Sequence, residues 1–186
     1  MMHYKKTIII AVVLIFFVFS AFMIYNVNTA YPGAEEKAYR VGDVTRYKGL
    51  KLTVGNVEIY KEEELTEKYP ETKSELDNDN SSIRCNYIVA NITFENDTNE
   101  TITFGKLDYV AYWVIETDMS GNGASLLFTK LNPDYKKSFS VGEVQKLKII
   151  YSIPEDWTSY EKLQQVDKKI VFSYYPTKSN ILYEHE

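Results

Sequence analysis

Nucleophilic catalysis and protein-bound metals usually begin with histidine and cysteine, and this chain has little of either. Its two histidines are His3 and His185, near opposite ends, and its one cysteine is Cys85. A Ser–His or Cys–His pair needs a histidine inside a pocket of the folded domain, and a zinc site needs several such ligands together. These three residues supply neither. Cys85 falls mid-strand between Ile83 and Tyr87 and reads as a small buried hydrophobe. Its basic neighbour Arg84 points to the opposite strand face, so no cation is placed to activate the thiol.

Carboxylates alone can run hydrolytic chemistry, but the 26 acidic residues lie in no distinctive motif. The run Asp77-Asn78-Asp79-Asn80 invites a calcium reading, yet an EF-hand loop wants Gly at its sixth position and Glu at its twelfth. Counted from Asp77 those positions are Ser82 and Ile88, and the template fails. No catalytic residue, metal or cofactor is expected. The one compositional excess is aromatic, with 16 Tyr, 9 Phe and 2 Trp. Tyrosine suits interfaces and sugar stacking because it joins a flat apolar face to a hydroxyl. Many tyrosines sit in β-prone runs, where they also suit half-buried strands. Those outside such runs are the candidate ligand-binding residues: Tyr135 in Asn132-Pro-Asp-Tyr-Lys-Lys137, with Trp157 and Tyr160 in Pro154-Glu-Asp-Trp-Thr-Ser-Tyr160. Trp157 has a structural alternative, capping an open end of the fold.

The elements that position these residues read mainly as strands. Gly49–Val54 alternates apolar and polar residues, and Val57–Tyr60 resumes the pattern after Gly55-Asn56. Lys61–Asn80 is charge-rich and reads as an inserted loop with one short helix near Glu62–Tyr69. Ile83–Phe94 is apolar on both faces, the mark of a central strand. Thr101–Phe104 is expected to pair back on it after the Glu95–Glu100 turn. Tyr109–Ile115, Lys146–Ile153 and Lys169–Tyr175 complete the strongest β-prone runs, with a short run at Leu126–Phe128 after the Met119–Gly123 turn and Pro176 closing the last strand. Seven or eight short strands divided by turns predict an all-β antiparallel β-sandwich. Sequons at Asn80, Asn91, Asn96 and Asn99 read as turn chemistry rather than glycan acceptors.

Ahead of this domain, Thr7–Tyr25 carries no charge and is apolar all round. As a helix it would span about 28 Å, close to a bilayer core of ~30 Å. Lys5 and Lys6 precede it and Glu35 and Glu36 follow it, which orients the N-terminus inward. The exit carries no small-x-small cleavage site, favouring an uncleaved signal-anchor over a cleaved signal. The expected organisation is a cytoplasmic stub at 1–6, a transmembrane segment at 7–25, a linker at 26–39 and an extracytoplasmic domain at 40–186. Past the span, 19 basic residues face 26 acidic ones, a net charge of −7. Such a surface excludes nucleic acid as a partner, because phosphate binding relies on clustered Lys and Arg.

The segments YIVANITFENDTNETITF, SFSVGEVQKLKIIYSIPEDW and IVFSYYP together are similar to an immunoglobulin-like, telokin-like family of membrane- or lipid-anchored surface proteins of Gram-positive bacteria. The matching features are Asn96-Asp97-Thr98 before a turn, Gly142-Glu143 with Leu147, and Tyr151-Ser152-Ile153-Pro154. The resemblance spans residues 40–176 and implies an immunoglobulin-like sandwich on the cell exterior. It transfers no catalytic residue. The chain departs from the lipid-anchored members by lacking an attachment cysteine, and from antibody-type domains because Cys85 has no disulfide partner. The reading is therefore a membrane-anchored, non-enzymatic interaction module. Its expected partner is a membrane or envelope protein, engaged by β-edge pairing or loop aromatics. The alternative is a cell-wall glycan stacked on Tyr135, Trp157 and Tyr160.

Overall fold

The computed structural model describes residues 2–30, 35–78, 83–105, 109–117, 120–121, 125–173 and 177–184; within these, side chains at 2–12, 28, 30, 120, 121 and 125 are not described. Two compact units result, Met1–Glu35 and Glu36–Glu186.

The first unit is helix α1, Met2–Ala30. It runs through the expected span and into the expected linker. The single-pass anchor with an extracellular domain is not supported, because no helix among the described residues is long and apolar enough to cross a membrane. Side chains 7–12 of the expected span lie outside the described residues.

The second unit is a β-sandwich. One sheet has the order β1 (Glu35–Tyr39), β11 (Thr177–Tyr183), β10 (Lys168–Ser173), β6 (Val114–Glu116), β7 (Ser120–Gly121). The other has the order β2 (Val44–Tyr47), β3 (Leu50–Tyr60), β4 (Cys85–Glu95), β9 (Val144–Pro154). A small ribbon pairs β5 (Ile102–Thr103) with β8 (Ser138–Phe139). The two large sheets share one core in which Tyr47 of β2 meets Phe172 of β10 at 6.0 Å between ring centroids. Phe94 of β4 meets Trp113 at 5.9 Å.

Central β4 is buried on both faces from Asn86 to Ala90, as its sequence requires. The break in alternation at Gly55-Asn56 is a one-residue bulge: Leu52 pairs with Phe94 and Val54 with Ile92, but Val57 pairs with Ala90 and Ile59 with Ile88. The extra residue returns Val57 and Ile59 to the core face after Leu50, Leu52 and Val54. Gly55 is needed there because a Cβ would meet the Asn91 backbone oxygen at 2.4 Å. The β2–β3 hairpin turns through Lys48 and Gly49, with φ of 51° and 92°, the left-handed pair that matches strand twist in a two-residue turn.

Several elements depart from the sequence reading. Lys61–Asn78 is mostly helical rather than looped, with α2 (Glu62–Lys68), a 3-10 turn (Pro70–Thr72) and α3 (Lys73–Asn78). Leu65 and Tyr69 of this layer are buried over the outer face of β4, so the sandwich carries helices as a third layer there. Ile102–Thr103 pairs with β8 instead of turning back on β4. Val110–Tyr112 is a 3-10 turn and only Val114–Glu116 of that run is strand. Leu126–Phe128 belongs to helix α4 (Ser125–Leu131), which buries Leu127, Phe128 and Leu131 and ends before Pro133. A further helix, α5 (Tyr160–Gln165), is capped by Ser159 and links β9 to β10.

The sequon reading at Asn96 has a direct structural counterpart. Asn96 is fully buried, donates from Nδ2 to the backbone oxygens of Glu100 and Phe139, and accepts from Thr98 N–H and Oγ1. Asn80, Asp79, Tyr174, Tyr175 and His185 lie outside the described residues.

Candidate binding surface

The face that gathers unused recognition chemistry lies beside the Asn132–Lys137 loop, between α4 and β9. Strand β9 is eleven residues long and, among the described residues, an edge of its sheet paired only with β4. Its parity is fixed at its start, where Asn96 N–H donates to the Glu143 oxygen at 2.9 Å and the pairs Phe94–Gln145 and Ile92–Leu147 follow. Odd-numbered residues of β9 therefore turn their peptide groups to β4, and Val144, Lys146 and Lys148 turn theirs outward.

Lys148 is the outward position that is closed. Its N–H donates to Asn132 Oδ1 at 2.8 Å, and its oxygen accepts from Asn132 Nδ2 at 2.8 Å. The same Nδ2 also reaches the Phe128 oxygen at 2.8 Å, which ties the edge to the last turn of α4. Asn132 thus presents a primary amide where the peptide unit of a further strand would stand. At Val144 and Lys146 no hydrogen bond to the outward N–H or C=O occurs among the described residues. A groove of about 440 Å³ runs along this open stretch, between the Leu131–Lys136 loop and Glu143–Leu147 of β9. Lys136 N–H donates to Gln145 Oε1 at 3.3 Å and holds the loop alongside the strand. Glu143 is fixed at the mouth by Ser140 N–H at 2.8 Å and Gln145 Nε2 at 3.0 Å; those donors, the Ser140 amide first, keep its carboxyl below its ordinary pKa.

A second cleft of about 380 Å³ opens on the other flank of the same loop, lined by Tyr109, Tyr112, Phe128, Tyr135 and Lys137. Tyr109 meets Tyr112 at 5.0 Å and Phe128 at 5.3 Å, both edge-on. Lys137 Nζ stands 5.2 Å over the Tyr109 ring. Tyr112 is 61% exposed. Tyr135 is half-buried and packs on Phe128 at 5.3 Å. Its hydroxyl has no hydrogen-bond partner among the described residues, and burial, with Tyr109 and Tyr47 nearby, pushes its pKa up to about 12. Its ring edges the cleft while its hydroxyl belongs to the interior.

The three aromatics expected to form one platform are not brought together. Tyr135 stands beside Gln145, near the start of β9. Trp157 follows the other end, its N–H donating to the Pro154 oxygen at 3.0 Å, and is 51% exposed. Nine residues of strand separate those ends, about 30 Å at ~3.3 Å per residue. Tyr160 packs near β3, its hydroxyl reaching the Ile59 oxygen at 3.5 Å with Lys61 Nζ 4.9 Å over its ring. Sequence reasoning reached this loop through Tyr135. It gave no place to Val144 and Lys146 or to the Asn132 amide, whose positions depend on which way a backbone faces; the polar-apolar alternation of Lys146–Ile149 was the nearest available signal. Among the described residues, no group of three His, Cys, Asp or Glu could hold a metal ion.

Fold and surface together define a β-sandwich with a partly open sheet edge and, beside it, a loop flanked by two clefts. The chain belongs to the family described as Domain of unknown function (DUF5028), whose model matches residues 34–179. It is similar to an uncharacterized beta-sandwich protein from Clostridium difficile 630, at 10% identity over 81% of this chain and 96% of that one, with a TM-score of 0.47. It is also similar to a functionally unknown protein from Listeria monocytogenes EGD-e, at 11% identity over 77% of this chain and 82% of that one, with a TM-score of 0.48. No curated protein matches the chain.

Proposed function

We propose that this chain is a non-catalytic, immunoglobulin-like protein-binding module that takes an extended segment of another protein as an added strand on the edge of β9. The observation that carries this reading is the pair of outward-facing peptide groups at Val144 and Lys146, open along the groove beside the Asn132–Lys137 loop. An extended peptide satisfies such groups with its own backbone, and pockets along the edge then sort its side chains. The immunoglobulin-like assignment rests on two antiparallel sheets of five and four strands sharing one core.

The test is selection of heptapeptides from a random display library on the wild-type chain, followed by binding to Lys146→Pro. Proline there removes the outward N–H and no ladder bond to β4. The enriched peptides should lose at least tenfold in affinity on the variant. Equal affinity for both proteins would contradict edge pairing.

A second reading, glycan binding, is favoured by exposed Tyr112 over the tyrosine cleft. It requires that an immobilised glycan be retained by the wild type and released by Tyr112→Ala, with Lys146→Pro having no effect.

A further inference from the structure

Resting on the edge-pairing reading, we infer that the segment bound at β9 is acidic: it places a carboxylate side chain opposite Lys146 and a β-branched apolar side chain opposite Val144. Val144 and Lys146 are two residues apart and present their side chains on one face of the sheet. Val144 is 50% exposed, an apolar side chain at an edge with no strand beyond it among the described residues. Lys146 is exposed, and its ammonium has no ion pair among the described residues. The next cation along this face is already placed, with Lys148 Nζ 5.4 Å over the Tyr69 ring.

The neighbouring carboxylates do not neutralise Lys146. In register it faces Thr93 of β4. Glu95, two residues along β4, is held by Lys51 at 2.7 Å. Glu143 is held by the Ser140 amide and Gln145. Lys136 lines the same groove with its charge set against that of Glu143, and Asp134 is the one further acid on the loop side, which leaves Lys146 as the cation open to an incoming strand. An incoming strand puts its directly opposed Cβ atoms about 4.5–5.5 Å from those of Val144 and Lys146, close enough for charge and shape to discriminate. A basic residue opposite Lys146 is disfavoured on the same ground.

The probe is a dye-labelled, end-blocked peptide, Thr-Val-Thr-Glu-Thr-Val-Thr, which offers the Val-x-Glu pattern in either strand direction. A second peptide replaces Glu by Lys, and a third is the first with alternate backbone nitrogens methylated. Anisotropy titrations on the full chain should give about fivefold tighter binding of the Glu peptide over the Lys peptide, and Lys146→Glu should reverse that order. The methylated peptide should bind at least tenfold more weakly. An unchanged order with Lys146→Glu, while methylation still weakens binding, overturns the acidic preference and leaves edge pairing standing. Binding indifferent to methylation, or no binding of either unmethylated peptide, overturns edge pairing itself. Circular dichroism melts of Lys146→Glu matching wild type establish that the exposed substitution leaves the fold intact.

Discussion

The side-chain amide of Asn132 and the backbone of Lys148 make two hydrogen bonds of 2.8 Å each, so that one residue after a helix stands in for the next strand of a sheet. An eleven-residue edge strand is an aggregation hazard when left open along its length. Asn132 divides this one, closing it at Lys148 and leaving Val144 and Lys146 free.

Asn132→Ala should therefore do two things. The half-buried N–H and C=O of Lys148 lose their partner, while the Phe128 oxygen keeps the backbone N–H of residue 132, and the loss costs about 1–3 kcal/mol. The longer open edge should also promote self-association. Urea unfolding reads the first and size exclusion at rising concentration reads the second. Wild-type stability in the variant would show that the amide bridge is incidental.

Tyr151 is fully buried and its hydroxyl has no partner among the described residues, with burial and nearby Tyr183 holding its pKa well above the ordinary value. Tyr151→Phe removes an unsatisfied polar atom and keeps the ring, so it should be neutral or stabilising by up to about 1 kcal/mol. Tyr151→Ala leaves a cavity and should cost about 3–5 kcal/mol. Chemical denaturation of both variants checks the pair, and a Phe variant as unstable as the Ala variant would show that the hydroxyl is satisfied.

How far the fold could be read in advance divides along the same physical lines. Strands β4, β9 and β10 announced themselves because each buries a long apolar run, and the Gly55-Asn56 interruption in β3 was visible as a break in alternation. Strands β1 and β11 were missed. Glu35–Tyr39 is charged and largely exposed, and Thr177–Tyr183 follows a proline that looked like the end of the sheet. Leu126–Phe128 is too short a run for periodicity to separate helix from strand. The candidate surface was legible only through its loop and Tyr135. The open peptide groups of β9 follow from its register against β4, which no local pattern specifies.

Gly55→Ala should be among the most disruptive single changes in the sheet, because the added methyl meets the Asn91 backbone oxygen at 2.4 Å. The bulge must open or shift, at about 1–3 kcal/mol. A thermal melt compares it with Gly142→Ala, where φ is 75° but nothing stands within 4 Å of the new atom. A smaller loss at Gly55 than at Gly142 would mean that β3 relaxes freely at the bulge.

Glu143 gives the groove a pH dependence. Its carboxyl is held below its ordinary value of 4.5, first by the Ser140 amide. A depressed folded value adds stability that is fully present above 4.5 and is lost as pH falls through the lower folded value. The stability difference between wild type and Glu143→Gln should thus be constant above pH 5 and shrink below about 4.5. A difference independent of pH from 2 to 7 would remove Glu143 from the ordering of the strand entrance.

The most direct test of edge pairing is amide hydrogen exchange along β9, with and without a saturating selected peptide. In the free chain Gln145 and Leu147, paired to Phe94 and Ile92, should be protected while Val144 and Lys146 exchange fast. Bound peptide should slow Val144 and Lys146 by at least tenfold. Saturation that leaves both amides fast would contradict the account.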